Sequence, residues 1–464
     1  METKDRRYIM KKLVCLLLIV VFLLSLVSCD ISSSFINGVN LNRYSIVYSD
    51  EDLDYSKRAA EYIQDEIFKR TNVKLPLVED SDKPKTKHEI VVGNTEREIS
   101  AELNAETTGL EFAIYANEHS IALEGDYFII AAAAYFFIAN YVPFDDYDAT
   151  VPEEVSIHQP IVEEAKNFIL LIGDGMGVYQ TKLFEAMEVT ADYSDGENFF
   201  YGYLLPYHGY SRTDSLSGIT DSAAGGTALS TGYKTTNGRV GRDADGGDLK
   251  SITELAHSLG MGNGVMSTEG ATGATPSSFS AHANDRNDNL DILKSQIDAK
   301  KNFGTIIECN FNHYKQSKME DIDDRIENTL KSVSEGGKNF FLMYEEAHID
   351  KHSHNNEMEK TFLALIRFNQ AIARFMEYAF YHPDTLVLIT ADHETGDLRP
   401  EEDGTYAYHS TGHSGANVPI FAYGKGAEVF NGKTIENIQI AHTIAHLMGE
   451  SNFGDQSVYK SLLK

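Results

Sequence analysis

The sequence predicts an α/β fold on a mostly parallel central sheet, with a small α/β unit ahead of it. Three observations carry this expectation. Short apolar runs recur at 168–172, 265–266, 340–344, 386–389 and 418–423, as in strands buried on both faces. Amphipathic stretches at 322–333 and 359–378 lie between them, with the spacing of covering helices. Residues capable of chemistry stand close to each run: Asp174, Thr268, Glu345, Asp392 with His393, and His413. Open sheets of this kind form their sites beyond the C-terminal ends of the strands.

The chain has 464 residues, room for two or three domains of about 100–200 residues each. Its apolar share of 42% is enough for a sizeable core, and its formal net charge is −30. Nucleic-acid binding is not expected from so acidic a chain, because backbone phosphates are held by clustered Lys and Arg. Any phosphate site must bring its own local positive charge, which bound divalent cations would supply. Surface acidity also keeps an exported protein soluble, and either reason accounts for the charge. Only Cys15, Cys29 and Cys309 occur. That excludes a disulfide framework and a thiolate zinc cluster, so metal sites must use His and carboxylates.

Residues 1–28 carry Lys4, Arg6, Arg7, Lys11 and Lys12, then an apolar run at 13–27. A basic start, a short apolar core and a small residue before a cleavage point describe an export signal. The run is marginal for a spanning helix, which needs about 20 apolar residues. Leu26-Val27-Ser28-Cys29 resembles a bacterial lipoprotein box, which makes Cys29 the expected lipidation site and membrane anchor. An uncleaved N-terminal anchor is the alternative. Both readings place the remainder outside the cytoplasm.

Residues 29–41 read as a tether and 42–145 as the small α/β unit. Strand patterns fall at 44–48, 88–92, 111–115 and 120–124, and helical ones at 56–71 and 126–141. No nucleophile, metal cluster or phosphate loop stands out there, so the unit reads as an accessory domain of unknown ligand. The acidic, proline-punctuated stretch at 146–165 reads as a linker, and 166–464 as the catalytic domain.

Asp350 and His354 stand four apart, so one helical turn aims both at one ion. Asp392 and His393 are adjacent, in a turn after a buried strand. A single Asp at a strand end is ordinarily a helix cap. Caps do not explain seven such residues, Asp174, Glu345, Asp350, His354, Asp392, His393 and His413. Their mixture suits zinc in an open site, and carboxylates with a hydroxyl suit magnesium. Residues 220–228 (TDSAAGGTA) read as a turn entering a helix. Ser222 or Asp221 caps it, or Ser222 lies where helix amides favour an anion.

Several segments closely resemble alkaline phosphatases, in that family's order: 167–177 (NFILLIGDGMG), 220–224 (TDSAA), 230–238 (STGYKTTNG), Ala274-Thr275-Pro276 with Arg286, 345–354 (EEAHIDKHSH), 390–393 (TADH) and 413–415 (HSG). The resemblance implies the family's three-layer fold and hydrolysis of phosphomonoesters through a phosphoserine at Ser222, fastest at alkaline pH. It implies two zinc ions. Asp350, His354 and His413 hold the first, which serves the leaving oxygen and the attacking water. Asp174, Asp392 and His393 hold the second, which holds the Ser222 oxygen. Arg286 is implied to grip two phosphate oxygens, and Asp174, Thr275 and Glu345 to hold one magnesium. His409 is a rival to His413, and the Gly-His-Ser-Gly setting favours His413.

The chain departs from the family at Gly273, where relatives carry Asp or His. Magnesium is expected to be held more weakly, completed by water, or replaced. The resemblance implies that Lys351 lies near phosphate, directly or through water; the alternative is plain solvent exposure. Shortened spans before Glu345 and before His413 leave dimer and monomer both open and predict an open pocket. Alternatives keep the fold but change the bond, to phosphodiester, phosphonate or sulfate ester, or make the chain a non-catalytic lipoprotein binding phosphate or glycan.

Overall fold

The computed structural model describes residues 34–463 except 53, 83–84, 143, 145–147, 188–198, 311–319 and 458–459. The export signal, Cys29 and the start of the tether through Ser33 lie outside the described residues. Among those described, no helix is long and apolar enough to cross a membrane. The chain divides into two compact units.

The first unit carries a six-stranded sheet in the order Leu77–Glu79, Tyr44–Tyr48, His88–Val92, Ile121–Glu124, Phe112–Ala116, Ser156–His158. Strands Tyr44–Tyr48 and His88–Val92 are buried throughout, which is why they read as apolar or β-branched runs. Helix Tyr55–Thr71 buries Ala59, Ala60, Ile63 and Ile67, the positions its periodicity marks. Two short strands, Asp148–Ala149 and Ser156–His158, fall inside the stretch read as a linker, and the first pairs with Phe35–Ile36. Neither has enough residues for a readable alternation.

A buried ion cluster ties this unit together. Arg97 reaches Asp80 at 2.8 Å and Glu89 at 3.1 Å, with all three side chains nearly inaccessible. Removing one partner of a buried pair leaves uncompensated charge and costs about 3–5 kcal/mol. Arg97→Leu is expected to destabilise the unit by that amount. Hydrogen exchange in His88–Val92 and Phe112–Ala116 of the full chain reads it, and unchanged protection there would contradict it.

The second unit is built on an eight-stranded sheet: β1 (Asn167–Gly173), β2 (Tyr207–Arg212), β3 (Gly262–Ser267), β4 (Ile306–Cys309), β5 (Phe340–Glu346), β6 (Thr385–Thr390), β7 (Val418–Tyr423) and β8 (Thr434–Glu436). The spatial order is β4-β3-β5-β1-β6-β7-β2-β8. Within this sheet only β7 runs against the rest, antiparallel to both β6 and β2.

Alternation along the central strands separates two cores. Phe168, Leu170, Ile172, Phe341 and Met343 share one cluster with Leu229, Ile252, Ile440 and Ile444 from helices on that face. On the opposite face Tyr344 stacks on Phe368 and meets Phe375 edge-on, both from α4 (Met358–Tyr381). A large apolar side chain contributes about 1.5–3 kcal/mol on full burial, so both helical layers are firmly held. The result is a helix–sheet–helix sandwich with one edge free to carry loops.

Register places the chemistry at that edge. Ile172 of β1 lies level with Glu345 of β5 and Thr390 of β6, and Ser267 of β3 is level with Glu345. The residues that follow therefore emerge together. The Asp174 amide donates to the Glu346 carbonyl at 3.1 Å, and the Thr268 amide to the Glu345 carbonyl at 3.1 Å, extending the ladder into the loops. Because β7 is reversed, the segment before it, with His413, arrives at the same edge.

Candidate active site

Ser222 opens helix α1 (Ser222–Thr231), which ends at Gly232 in the left-handed conformation (φ 72°). Asp221, not Ser222, is the cap: its Oδ1 accepts from the Ala224 amide at 3.0 Å. That leaves the Ser222 hydroxyl free to face the site, where its Oγ lies 3.1 Å from His393 Nε2. Asp221 Oδ2 accepts from the Gly238 amide at 3.0 Å and from Arg286 Nη1 at 3.2 Å. Cap, loop and guanidinium are thus tied to one carboxylate. The small residues of α1 serve packing as well: a Cβ on Gly225 would come within 3.1 Å of Asp392.

Asp350 lies on α3 (His348–Ser353), and the His354 amide donates to the Asp350 carbonyl at 2.9 Å, closing the turn expected from their spacing. His354 Nε2 is 3.2 Å and His413 Nε2 3.6 Å from Asp350 Oδ1. The two Nε2 atoms are 3.1 Å apart. Their other nitrogens face main-chain carbonyls, His354 Nδ1 that of Thr411 at 2.5 Å and His413 Nδ1 that of Thr220 at 2.8 Å. A carbonyl only accepts, so each Nδ1 carries a proton and each Nε2 is turned toward Asp350. Two imidazole nitrogens and a carboxylate oxygen converge there. This arrangement fits a divalent cation.

A second group surrounds His393. Its Nε2 lies 3.2 Å from Asp392 Oδ2 and 3.5 Å from Asp174 Oδ1. Donor atoms of Asp174, Asp350 and His393 all fall within 4.8 Å of one another, so Asp350 stands between the two groups. Asp392 Oδ1 accepts from the His393 amide at 2.9 Å and the Gly175 amide at 3.3 Å. Among the described residues, Asp392 Oδ2 and Asp174 Oδ1 are buried without a hydrogen-bond partner. Such atoms are costly unless a cation or water meets them.

Thr395 couples the groups, a role its sequence setting does not signal. Its hydroxyl donates to Asp350 Oδ1 at 2.5 Å and lies 3.2 Å from His393 Nδ1. The one hydroxyl proton goes to the carboxylate, so Nδ1 of His393 must be the donor there and its Nε2 the acceptor. A two-stranded ribbon, Glu394–Thr395 with His413–Ser414, joins the second group to the first.

A third cluster is all oxygen. Glu345 is fully buried; its Oε2 accepts from the Ser267 hydroxyl, and its Oε1 has no hydrogen-bond partner. Thr275 Oγ1, on α2 (Ala274–Ser278), is likewise buried without one. Lys351 Nζ donates to Glu269 Oε2 at 2.7 Å. His409 instead pairs with Glu401 at 2.9 Å, away from the cluster, and His413 holds the central position.

Charge follows the geometry. Burial, then Asp392, Asp350 and Glu345, push the Asp174 carboxyl well up. Burial and Asp350 raise Asp392 to about 7. Burial and Glu269 raise Glu345, with the Ser267 hydroxyl opposing. Burial, then His413, His354 and Arg286, hold His393 well below the usual imidazole range. Burial works against charge on Arg286 and Lys351, but Asp221 and Glu269 respectively outweigh it and both move up. Carboxylates crowded this closely around imidazole nitrogens make a donor set that fits cations.

The groups differ in access. His393 is 0% exposed and His413 15%, whereas His354 is 38% exposed. A cavity of about 710 Å³ lined by Arg242, Glu254, His257 and His282 includes none of these site residues.

The chain can now be set beside known proteins. The family described as alkaline phosphatase matches residues 165–310 and 308–411, more than half of the chain. Alkaline phosphatase 3 of Bacillus subtilis (strain 168) is 29% identical over 300 residues, 53% of this chain and 65% of that protein. Alkaline phosphatase 4 of the same organism is 27% identical over 315 residues, 56% of this chain and 68% of that protein. The chain therefore spans about two-thirds of these relatives' length. The solved alkaline phosphatase from the Antarctic bacterium TAB5 superposes with a TM-score of 0.52 at 26% identity, covering 63% of this chain and 99% of that one. With its helix–sheet–helix fold and the site at the strand ends, the chain belongs to the alkaline phosphatase family.

Proposed function

We propose that this protein hydrolyses phosphomonoesters to an alcohol and inorganic phosphate, with Ser222 as nucleophile. The observation that carries the reading is the placement of the Ser222 hydroxyl. It sits at the first turn of a helix, 3.1 Å from His393 Nε2, with Arg286 anchored to the neighbouring Asp221. Asp350, His354 and His413 would hold one zinc ion. Asp174, Asp392, His393 and the Ser222 oxygen would hold a second, and Asp174, Thr275 and Glu345 a magnesium ion. A variant of the TAB5 enzyme was solved with magnesium in its M3 site, which supports a third cation here. When bound, these cations supply positive charge opposite the entering and leaving oxygens.

The protein's own groups do the rest. Ser222 gives up its hydroxyl proton to solvent as its Oγ forms a bond to phosphorus and the ester P–O bond breaks. The departing alcohol oxygen takes a proton from solvent. A water molecule then attacks the phosphoserine and releases inorganic phosphate, and the serine regains its proton. The first-turn amides and dipole of α1 favour the anionic group. Arg286 offers a planar fork to two phosphate oxygens, and Lys351, paired with Glu269, adds charge alongside. The partly exposed His354 leaves the first group open to water and to varied leaving alcohols.

Nitrophenyl phosphate, its diester and its sulfate analogue distinguish this from other ester chemistries. The monoester is expected to be the preferred substrate, and preference for the diester or sulfate would overturn the reading. Arg286→Lys is expected to raise KM about tenfold to a hundredfold. That corresponds to about 1.5–3 kcal/mol for charge-assisted hydrogen bonds lost when the fork becomes a point charge. An unchanged KM would remove Arg286 from the phosphate site.

The basic and apolar start followed by Cys29 supports export and lipid anchoring at a membrane surface. Detergent partitioning of the full chain and a Cys29→Ala variant tests this. The variant should lose membrane association, and a variant that retained it would refute the anchor.

A further inference from the structure

Position 273 carries no side chain, and another residue fills the volume one would occupy. Gly273 has φ −56° and ψ 154°, a conformation any residue adopts, so backbone strain does not require glycine. Space does. A Cβ there would lie 1.8 Å from Glu269 Oε1, 2.1 Å from its Cδ and 2.7 Å from its Cγ. The Glu269 side chain occupies the volume that a residue at 273 would fill.

We propose that Glu269 supplies the carboxylate of the third cation site and that Gly273 is the vacancy admitting it. The observation pointing to a ligand is independent of the acidic cluster. Among the described residues, the fully buried Glu345 Oε1 and Thr275 Oγ1 have no hydrogen-bond partner. With Asp174, the donors are all oxygen, a set suited to magnesium rather than to zinc. Glu269 Oε2 is engaged by Lys351 Nζ at 2.7 Å, which holds the side chain over Gly273. The carboxylate comes from the loop after β3, which also fixes the Ser267 hydroxyl on Glu345, so ligand and support move as one.

This inference rests on the cation-dependent reading of the site, and its test is separate from turnover. Zinc-loaded protein is titrated with magnesium chloride by calorimetry, and magnesium and zinc are counted by elemental analysis. Glu269→Gln, equal in size and uncharged, is expected to weaken magnesium binding at least about tenfold while zinc content stays as in the parent. Glu269→Ala with Gly273→Asp, which returns a carboxylate to the emptied volume, should recover most of the affinity. Parental magnesium affinity in Glu269→Gln would overturn the assignment, as would a parent that takes up no magnesium. A folded double variant that binds no better than Glu269→Ala would also overturn it. If the parent fails to hydrolyse monoesters, the function reading falls, while the titration still judges Glu269.

Discussion

Ser222→Ala is expected to lower phosphomonoester turnover about a thousandfold or more, the scale on which removal of a nucleophile acts in enzymes that form a covalent intermediate. The structure explains why such a loss would be chemical. Among the described residues the Ser222 hydroxyl bonds to His393 alone, and the cap of α1 belongs to Asp221. Truncation therefore leaves the helix start, the Arg286 anchor and the core intact. Two measurements check it. The first is the turnover number with nitrophenyl phosphate, with thermal unfolding as the control for folding. The second is acid quenching of the parent during turnover, with mass spectrometry locating a phosphoryl group on Ser222. Near-parental turnover in the variant, or a phosphoryl group on another residue, would end the assignment.

Chelation is expected to abolish activity and to lower stability, with a pH dependence of definite sign. Each ion bound only by the folded form stabilises it by about 4 kcal/mol when present at about a thousand times its Kd. Its removal exposes the repulsion among Asp174, Asp350, Asp392 and Glu345. In the ion-free protein, burial and Asp350 raise Asp392 to about 7, and burial with neighbouring carboxylates raises Asp174 and Glu345. The unfolded chain releases those protons near pH 4. The folded form thus holds more protons through neutrality, and its stability falls as pH rises, by about 1.4 kcal/mol per pH unit for each extra proton. His393 is depressed, so its contribution is complete above about pH 6.5 and is lost only below it. From pH 6.5 to 8.5 the chelated protein should therefore melt progressively lower, while the loaded protein, with cations in place of protons, changes much less. A chelated protein that melts higher at pH 8.5 than at pH 6.5 would contradict this electrostatic account.

The central strands are legible in the sequence because burial on both faces leaves unbroken apolar runs. The run 418–423 coincides with β7, and 340–344 lies within β5. Strand β2, YHGYSR, is not legible: three of its six residues are exposed and its inward positions are Gly209 and Ser211. The reversal of β7 is invisible too, since side-chain alternation is the same in either chain direction. The one hint is that His413 precedes its strand, while Asp174, Glu345 and Asp392 lie at or beyond the ends of theirs.

The site divides in the same way. Asp350 with His354, Asp392 with His393, and the Ser222 turn are local patterns, so spacing alone picks them out. Glu269 and Thr395 work through partners 82 and 45 residues away, and no local period records such contacts. A glycine without a turn to justify it, four residues after a glutamate, is the one trace Glu269 leaves in the chain.

The ribbon between Glu394–Thr395 and His413–Ser414 has a consequence of its own. It joins the backbone carrying His393 to the backbone carrying His413, whose rings stack at 3.6 Å. The gap between the two groups is therefore gauged by peptide geometry, which does not stretch as side chains drift. Two ions held by these groups would be spaced by that backbone, and a substrate reaching both would have to fit the spacing.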